Sequence, residues 1–378
     1  MPQSARYINP RTNATWPDDT ALWRAPDDGG YVNLTSGKGL APGDIDATQP
    51  SLWRYGAALR VAPPRVSLGE GWTPLVPGRW GEMSLFWKLD FLMPSGSFKD
   101  RGTAVMLAYL DRAGVTQIIE DSSGNAGASV ATYGGALGMD CRILVPASAP
   151  APKKIQIAAM GVTLEPVEGD RQAVADAALA AAETAFYASH NRQPYFLEGT
   201  KTVAFEIWEQ LGFRAPDAVV APLGQGSNIM GAHLGFAELL AAGQIDRLPR
   251  IYAVQAANAA PYQAAIDAGS DRPVPIQAKP TIADGIAASQ PVRLKEVLDA
   301  LTESGGRCVA VSEDEIAAAL HRFCSMGLFV EPTTAAVGAG LTRFLADGHL
   351  RADETVAVIL TGSGLKAVEK IGAALGLG

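Results

Sequence analysis

Beyond residue 84 the chain alternates between two hydrophobic rhythms. Short runs, apolar throughout or at every second residue and bounded by Gly, Pro, Ser or Asp, have the character of strands. Each is followed by a longer stretch whose apolar residues recur at three- and four-residue spacing, as on a helix with one buried face. SLFWKLDF (84–91) leads into DRGTAVMLAYLDRAG (100–114), and TQIIED (116–121) into NAGASVATYGGALG (125–138). CRILVP (141–146) leads into APKKIQIAAMG (151–161), and VTLEPVE (162–168) into DRQAVADAALAAAETA (170–185). Later, DAVVAPLG (217–224) precedes SNIMGAHLGFAELLAAG (227–243), RIYAVQA (250–256) precedes a further helix, and TVAVILTGSG (355–364) precedes the last. Strand and helix in regular alternation build parallel sheets covered by helices on both faces, so the pattern predicts an α/β fold. Residues 1–60 show neither rhythm. They are rich in Pro, Gly, Asp and Trp and read as an arm or irregular cap.

Length and composition narrow the picture. A chain of 378 residues is too long for one small core and suggests two domains of about 150–200 residues. The net charge of −8 without a basic tract sets aside a nucleic-acid partner, which would need a positive patch. The three cysteines, Cys141, Cys308 and Cys324, are far apart and lack CxxC spacing. They form neither a disulfide framework nor a zinc site, so no metal is expected and a reducing cytoplasm fits. The opening MPQSARYINPRTNATWPDD has no apolar core of a signal peptide, and no apolar run is long enough to span a membrane.

Four loops carry the candidate chemistry. In FLMPSGSFKDRG (91–102), Lys99 stands between a strand and a helix start, with Pro94, Ser95, Gly96 and Ser97 making the turn. Ligands of open α/β sheets bind at such strand carboxyl ends. Desolvation lowers the basicity of a lysine there, and so does the helix dipole, which suits an imine-forming nucleophile. In DSSGNAGAS (121–129), the hydroxyls of Ser122 and Ser123 and the N–H groups after Asn125 make an anion site, although the same residues also serve as a plain helix cap. In APLGQGSNIMG (221–231), Gly224 and Gly226 free the backbone to wrap a phosphate and Ser227 and Asn228 add donors. No GK[ST] follows, and Ile229 stands where a GxGxxG loop would have its third glycine. In ILTGSGLK (359–366), Thr361 and Ser363 follow an apolar strand, placing a hydroxyl where it can face an aromatic nitrogen. Singly each loop is also an ordinary turn. Jointly they hold a lysine, a carboxylate cradle, a phosphate cup and a neutral hydroxyl, the parts that pyridoxal 5′-phosphate requires.

The order and wording of these loops resemble the threonine synthase-like branch of the fold-type-II pyridoxal-phosphate enzymes. The resemblance runs from VSLGEGWTPLVP (66–77) to TGSGLK (361–366), with PSGSFKDRG, SSGNAGAS and LEGTKTVAFEIWEQLG (197–212) as its specific markers. It implies two open α/β domains of the tryptophan synthase β-like architecture with the cofactor in the cleft between them. The expected division is an N-terminal arm over 1–60, a small domain over 88–195 with the carboxylate loop, and a large domain over 61–87 and 196–378. By motif, Lys99 would carry the cofactor covalently and Asn125 would bond its ring hydroxyl. Gly224, Gln225, Gly226, Ser227 and Asn228 would cup the phosphate, and Thr361 would face the ring nitrogen. Ser122, Ser123, Ala126 and Gly127 would take the substrate carboxylate. A small amino acid is the expected partner, and a homodimer the expected assembly.

A hydroxyl at the ring nitrogen does not force its protonation as a carboxylate would. That favours α-deprotonation followed quickly by elimination over transamination, with Lys99 as the base. Glu331 reads as a helix cap or ion-pair member. The chain departs from the branch at one informative place. Threonine synthases commonly read Asn-Pro-x-Arg before Leu-Glu-Gly-x-Lys-Thr, the arginine helping to bind the phosphate of O-phosphohomoserine. Here the residues are Gln193, Pro194, Tyr195 and Phe196. TIADGIA (281–287), in turn, resembles the dehydratases and racemases of the same fold. The expected activity is therefore a lyase of the dehydratase or ammonia-lyase type acting on a β-substituted L-amino acid, with an apolar or aromatic group near Tyr195 and Phe196. Threonine synthase is the alternative, followed by a β-replacement transferase or a racemase. A non-catalytic cofactor-binding regulator is set aside because Lys99 and every loop are present.

Overall fold

In the computed structural model, which describes residues 5–148, 151–169 and 171–377, six strands form one sheet. Their order is Arg307–Val311, Arg250–Ala256, Ala218–Pro222, Val356–Ile359, Met83–Lys88 and Leu75–Trp80. The first five run parallel, and Leu75–Trp80 closes one edge antiparallel to Met83–Lys88. Every residue of Ala218–Pro222 and Val356–Ile359 is buried. These strands are covered on both faces, so they are apolar throughout rather than alternating. The helix Pro332–Ala346 lies close on this sheet because Gly340 and Gly338 lack side chains. A Cβ at Gly340 would stand 2.3 Å from Val254 Cγ2, and one at Gly338 would stand 2.5 Å from the Trp80 ring.

A second sheet has the order Thr163–Val167, Asp140–Pro146, Gln117–Glu120, Phe186–Tyr187, all parallel. Against its core lies the helix Lys99–Arg112, buried from Asp100 to Leu110, with the helices Asn125–Leu137 and Pro194–Thr200. The weakly periodic N-terminal residues include a small antiparallel sheet, Arg6–Ile8 between Thr15–Pro17 and Asn33–Leu34. Tyr7, Leu52, Trp53 and Leu59 share a core with Val105 and Leu107. Residues 1–4 of the expected arm and residue 170 of an expected helix lie outside the described residues.

The chain divides into two units. One comprises Met1–Gly71 and Lys99–Thr200, with the four-stranded sheet; the other comprises Trp72–Phe98 and Lys201–Gly378, with the six-stranded sheet. The mixed strand and helix content is the α/β class expected from the hydrophobic rhythm. Among the described residues, no helix is long and apolar enough to cross a membrane, and no cluster of His, Cys, Asp or Glu could hold a metal ion.

Candidate active site

In the six-stranded unit, parallel pairing puts the carboxyl ends of Met83–Lys88, Val356–Ile359 and Ala218–Pro222 on one edge, the ligand-binding edge of an open sheet. The loops that leave it are laced together. Leu360 N donates to Lys88 O at 2.9 Å, Phe98 N to Thr361 O at 2.9 Å and Ser363 N to Gly96 O at 3.0 Å. Gly96 has φ of 85°, a left-handed turn that glycine adopts without a side-chain penalty. The PSGSF turn is thus bound to Thr361–Ser363, and the next residue along the chain is Lys99. Thr361 is buried, and its hydroxyl lies 2.9 Å from that of Thr334, which also accepts from Gly362 N at 2.9 Å. Glu331 occupies the N-cap of Pro332–Ala346 but makes no side-chain cap bond. Its carboxylate instead packs on Gly362, where a Cβ would stand 2.0 Å from Oε1.

The Gly224–Asn228 loop is built for close approach. A Cβ on Gly224 would lie 3.0 Å from Gly285 O and Ile286 Cα, so the TIADGIA segment packs directly on the loop. Gly226 has φ of 96°, and a Cβ there would stand 2.3 Å from Val297 Cγ2 and 3.2 Å from the Tyr262 hydroxyl. It is the N-cap of the helix Ser227–Ala241, and no side chain caps that helix. Gln225 turns its side chain to Val292 N at 3.2 Å, which leaves its backbone for the loop. Ser227 and Asn228 are buried. The Asn228 Oδ1 and the Tyr262 hydroxyl are buried without a hydrogen-bond partner among the described residues, and burial pushes the Tyr262 phenol far above its ordinary range. An uncapped helix start beside an orphaned neutral hydroxyl fits a phosphate group.

The four-stranded unit holds the remaining candidates. Lys99 is half-buried at the first position of its helix, its amine 5.5 Å from the centre of the Phe196 ring. Phe196 is fully buried and can lie there only because residue 102 is glycine, whose Cβ would stand 2.6 Å from the ring. Asp100 accepts from Ser129 Oγ at 2.6 Å, tying this helix to Asn125–Leu137. At the start of Asn125–Leu137, Ser122 Oγ accepts from Gly124 N at 3.2 Å. The chain then wraps so tightly that a Cβ on Gly127 would stand 1.7 Å from Ser122 O. No side chain caps this helix either. Ser122, Ser123 and Asn125 are half-buried and Ala126 is buried. The unit therefore gathers Lys99, Phe196 and the Ser122–Gly127 turn, while Gly224–Asn228 and Thr361 share the edge of the other unit.

Several marker residues turn out to be structural. Glu198 is fully buried and accepts from Arg60 N and Nε at 3.1 and 3.0 Å. A Cβ on Gly199 would strike Arg101 O at 2.0 Å. Lys201 pairs with Glu238 at 2.9 Å. Glu206 pairs with Lys88 at 2.6 Å and accepts from Trp72 N at 2.7 Å. One pair was not foreseen: His190 Nδ1 lies 2.8 Å from Glu120 Oε1, the carboxylate fully buried and the imidazole nearly so. His190 follows Phe186–Tyr187, which is separated from Gln117–Glu120 in the chain by the strands Asp140–Pro146 and Thr163–Val167, so no local signal joined the two residues.

Comparison with known proteins bears directly on this geometry. The family model described as pyridoxal-phosphate dependent enzyme matches residues 66–362. The chain belongs to this family. It is 35% identical over 325 residues to the threonine synthase of Methanosarcina acetivorans, covering 84% of this chain and 80% of the relative. It is 36% identical over 325 residues to that of Methanocaldococcus jannaschii, covering 83% and 80%. Among solved structures it resembles a fungal L-serine ammonia-lyase from Rhizomucor miehei (TM-score 0.70, 22% identity, covering 80% of this chain and 97% of that one). It also resembles the processed form of a threonine deaminase from Solanum lycopersicum (TM-score 0.67, 23% identity, 81% and 87%). These likenesses establish the fold-type-II architecture. The protein is a pyridoxal-phosphate-dependent enzyme of the threonine synthase-like branch, in the lyase class.

Proposed function

We propose that the enzyme removes the α-proton and then the β-substituent of an L-amino acid, releasing ammonia and an α-keto acid. Lys99 carries the cofactor and, once released, takes the α-proton. Gly224, Gln225, Gly226, Ser227 and Asn228 hold the phosphate, chiefly through backbone N–H groups at the helix start. Thr361 faces the ring nitrogen and Asn125 the ring hydroxyl. Ser122 and Ser123, with the N–H groups of Ala126 and Gly127, orient the substrate carboxylate. When bound, pyridoxal phosphate supplies a sink for the charge that develops at Cα. A homodimer is the proposed assembly, which sedimentation velocity would read directly.

The observation that carries this reading is Phe196. It occupies the arginine position of threonine synthases, fully buried and against the Lys99 amine. A phenyl ring cannot neutralise a phosphate dianion, and truncating one partner of a buried charged pair costs about 2–5 kcal/mol. Arg192, four residues earlier, has its guanidinium 6.0 Å from the Trp23 ring centre. Steady-state kinetics with L-serine, L-threonine and O-phosphohomoserine test the reading. The hydroxy amino acids should yield ammonia and keto acid. O-phosphohomoserine should be poor with the unmodified enzyme and improve in Phe196→Arg. The named activity of the 35–36% identical relatives supports the second reading, threonine synthase, and efficient threonine formation by the unmodified enzyme would establish it instead.

A further inference from the structure

We propose that His190 is a second catalytic residue of this site, the acid that protonates the departing β-substituent, with Glu120 as its positioning residue. The inference rests on the elimination reading above and adds to it the substrate class, an amino acid whose β-substituent is a hydroxyl.

Four observations place the pair. Glu120 ends the strand Gln117–Glu120, so it directly precedes the Asp121–Gly124 turn proposed for the substrate carboxylate. His190 follows Phe186–Tyr187, the strand paired in parallel with Gln117–Glu120 through Ile119 and Tyr187, and Ala188 N donates to Ile119 O at 2.9 Å. The histidine and the turn therefore leave the same carboxyl edge of neighbouring strands. The imidazole packs edge-on against Phe196, ring centres 5.8 Å apart, and the Lys99 amine lies against that same phenyl ring. Of the four histidines in the sequence, only His190 belongs to the unit that holds Lys99.

The chemistry fits the place. A carboxylate at Nδ1 fixes the tautomer and the ring orientation, so that proton exchange falls to Nε2. The charged groups nearby in sequence are Asp121, buried beside Glu120, and Arg192, which lies against Trp23. Burying two ionisable groups is costly, and at the ligand edge of a sheet that cost is accompanied by a use. In the elimination the Cα–H bond breaks and its proton passes to the Lys99 amine. The electron pair forms a Cα–Cβ double bond, the Cβ–O bond breaks, and its pair stays on oxygen. Hydroxide is a poor leaving group, so His190 gives its Nε2 proton to that oxygen and water departs. The proton on Lys99 is then returned to Cβ, while the amino group releases a proton that restores His190. Water hydrolyses the resulting imine to the α-keto acid and ammonia.

Leaving groups that differ in their need for a proton test this in the holoenzyme. In His190→Gln, kcat for L-serine and L-threonine should fall about a hundredfold or more, the usual contribution of a general acid, with KM and the turnover of β-chloro-L-alanine within about threefold of wild type. Chloride leaves without a proton, so it bypasses the histidine. Glu120→Gln should show the same selectivity at smaller amplitude, and carries the comparison alone if His190→Gln does not fold. Equal losses on hydroxyl and chloride substrates would reduce the pair to a structural role and overturn the proposal, as would unchanged L-serine turnover. Wild-type turnover of β-chloro-L-alanine without that of L-serine or L-threonine would overturn the proposal but leave the elimination reading standing. Turnover of none of the three would overturn both.

Discussion

Thr361 can serve a ring nitrogen only if its own proton is not spent elsewhere, and Thr334 decides this. The Thr334 hydroxyl already accepts from Gly362 N at 2.9 Å. Its single proton can go to Thr361 Oγ1 at 2.9 Å or to Gly362 O at 3.3 Å. Given to Thr361, it leaves the Thr361 O–H to donate to an unprotonated ring nitrogen, the state in which elimination outruns transamination. Thr334→Val removes this relay and strands a buried N–H at Gly362. Activity should fall about tenfold, the equivalent of one lost hydrogen bond, with a shifted absorbance of the bound cofactor. Thr334→Ser should restore both. A valine variant with unchanged spectrum and rate would show that Thr361 needs no partner. Thr334 lies 27 residues from Thr361 in the chain, with no spacing to betray the contact, whereas Thr361 was legible because it directly follows an apolar strand.

At the scale of elements, helix starts were the most legible features and their long-range ties the least. The sequence places helix starts at Asn125 and Ser227, where the structure has them. The helix Glu313–Ser325 opens with Ser312 and Glu315 in a reciprocal capping box, a local pattern that the sequence reading passed over. What the pattern does not contain is Arg343 on the neighbouring helix, which donates to both Glu315 oxygens at 2.7 Å. The guanidinium, above all, holds the Glu315 carboxyl down from 4.5 to about 2. A carboxyl depressed in the folded state adds stability above its unfolded value, and that contribution is lost as pH falls toward the folded one. Both side chains are about a third exposed or more, so the gain is under about 1 kcal/mol. Urea unfolding should therefore show Glu315→Gln less stable than wild type at about pH 6, the gap narrowing as pH falls from 4.5 to about 2. A gap that stayed constant across that range would assign the loss to the capping box rather than the ion pair.

For the whole molecule, the rhythm of strands and helices and the four loops at strand ends could be read from local patterns. The places where the chain passes between its units could not. Gly71–Trp72, Phe98–Lys99 and Thr200–Lys201 all fall inside motifs, with no linker composition to mark them. The His190–Glu120 pair was equally hidden, because parallel pairing of two strands brings together residues 70 apart. Gly224–Asn228 and Thr361, the proposed phosphate and ring-nitrogen partners, both belong to the six-stranded unit, so loading the cofactor should stabilise that unit. A ligand at a hundred times its dissociation constant contributes about 2.7 kcal/mol. Stripping the cofactor should lower the thermal midpoint and raise hydrogen exchange at Ser227–Met230 and at Thr361–Ser363, leaving the strands Arg6–Ile8 and Thr15–Pro17 unchanged. Gly226→Ala provides the control. Its Cβ would meet Val297 Cγ2 at 2.3 Å in a left-handed backbone conformation, which displaces the first turn of Ser227–Ala241 and its N–H groups. The loaded and stripped forms of this variant should melt nearly together. A variant that kept the full wild-type difference would mean that the phosphate is held elsewhere.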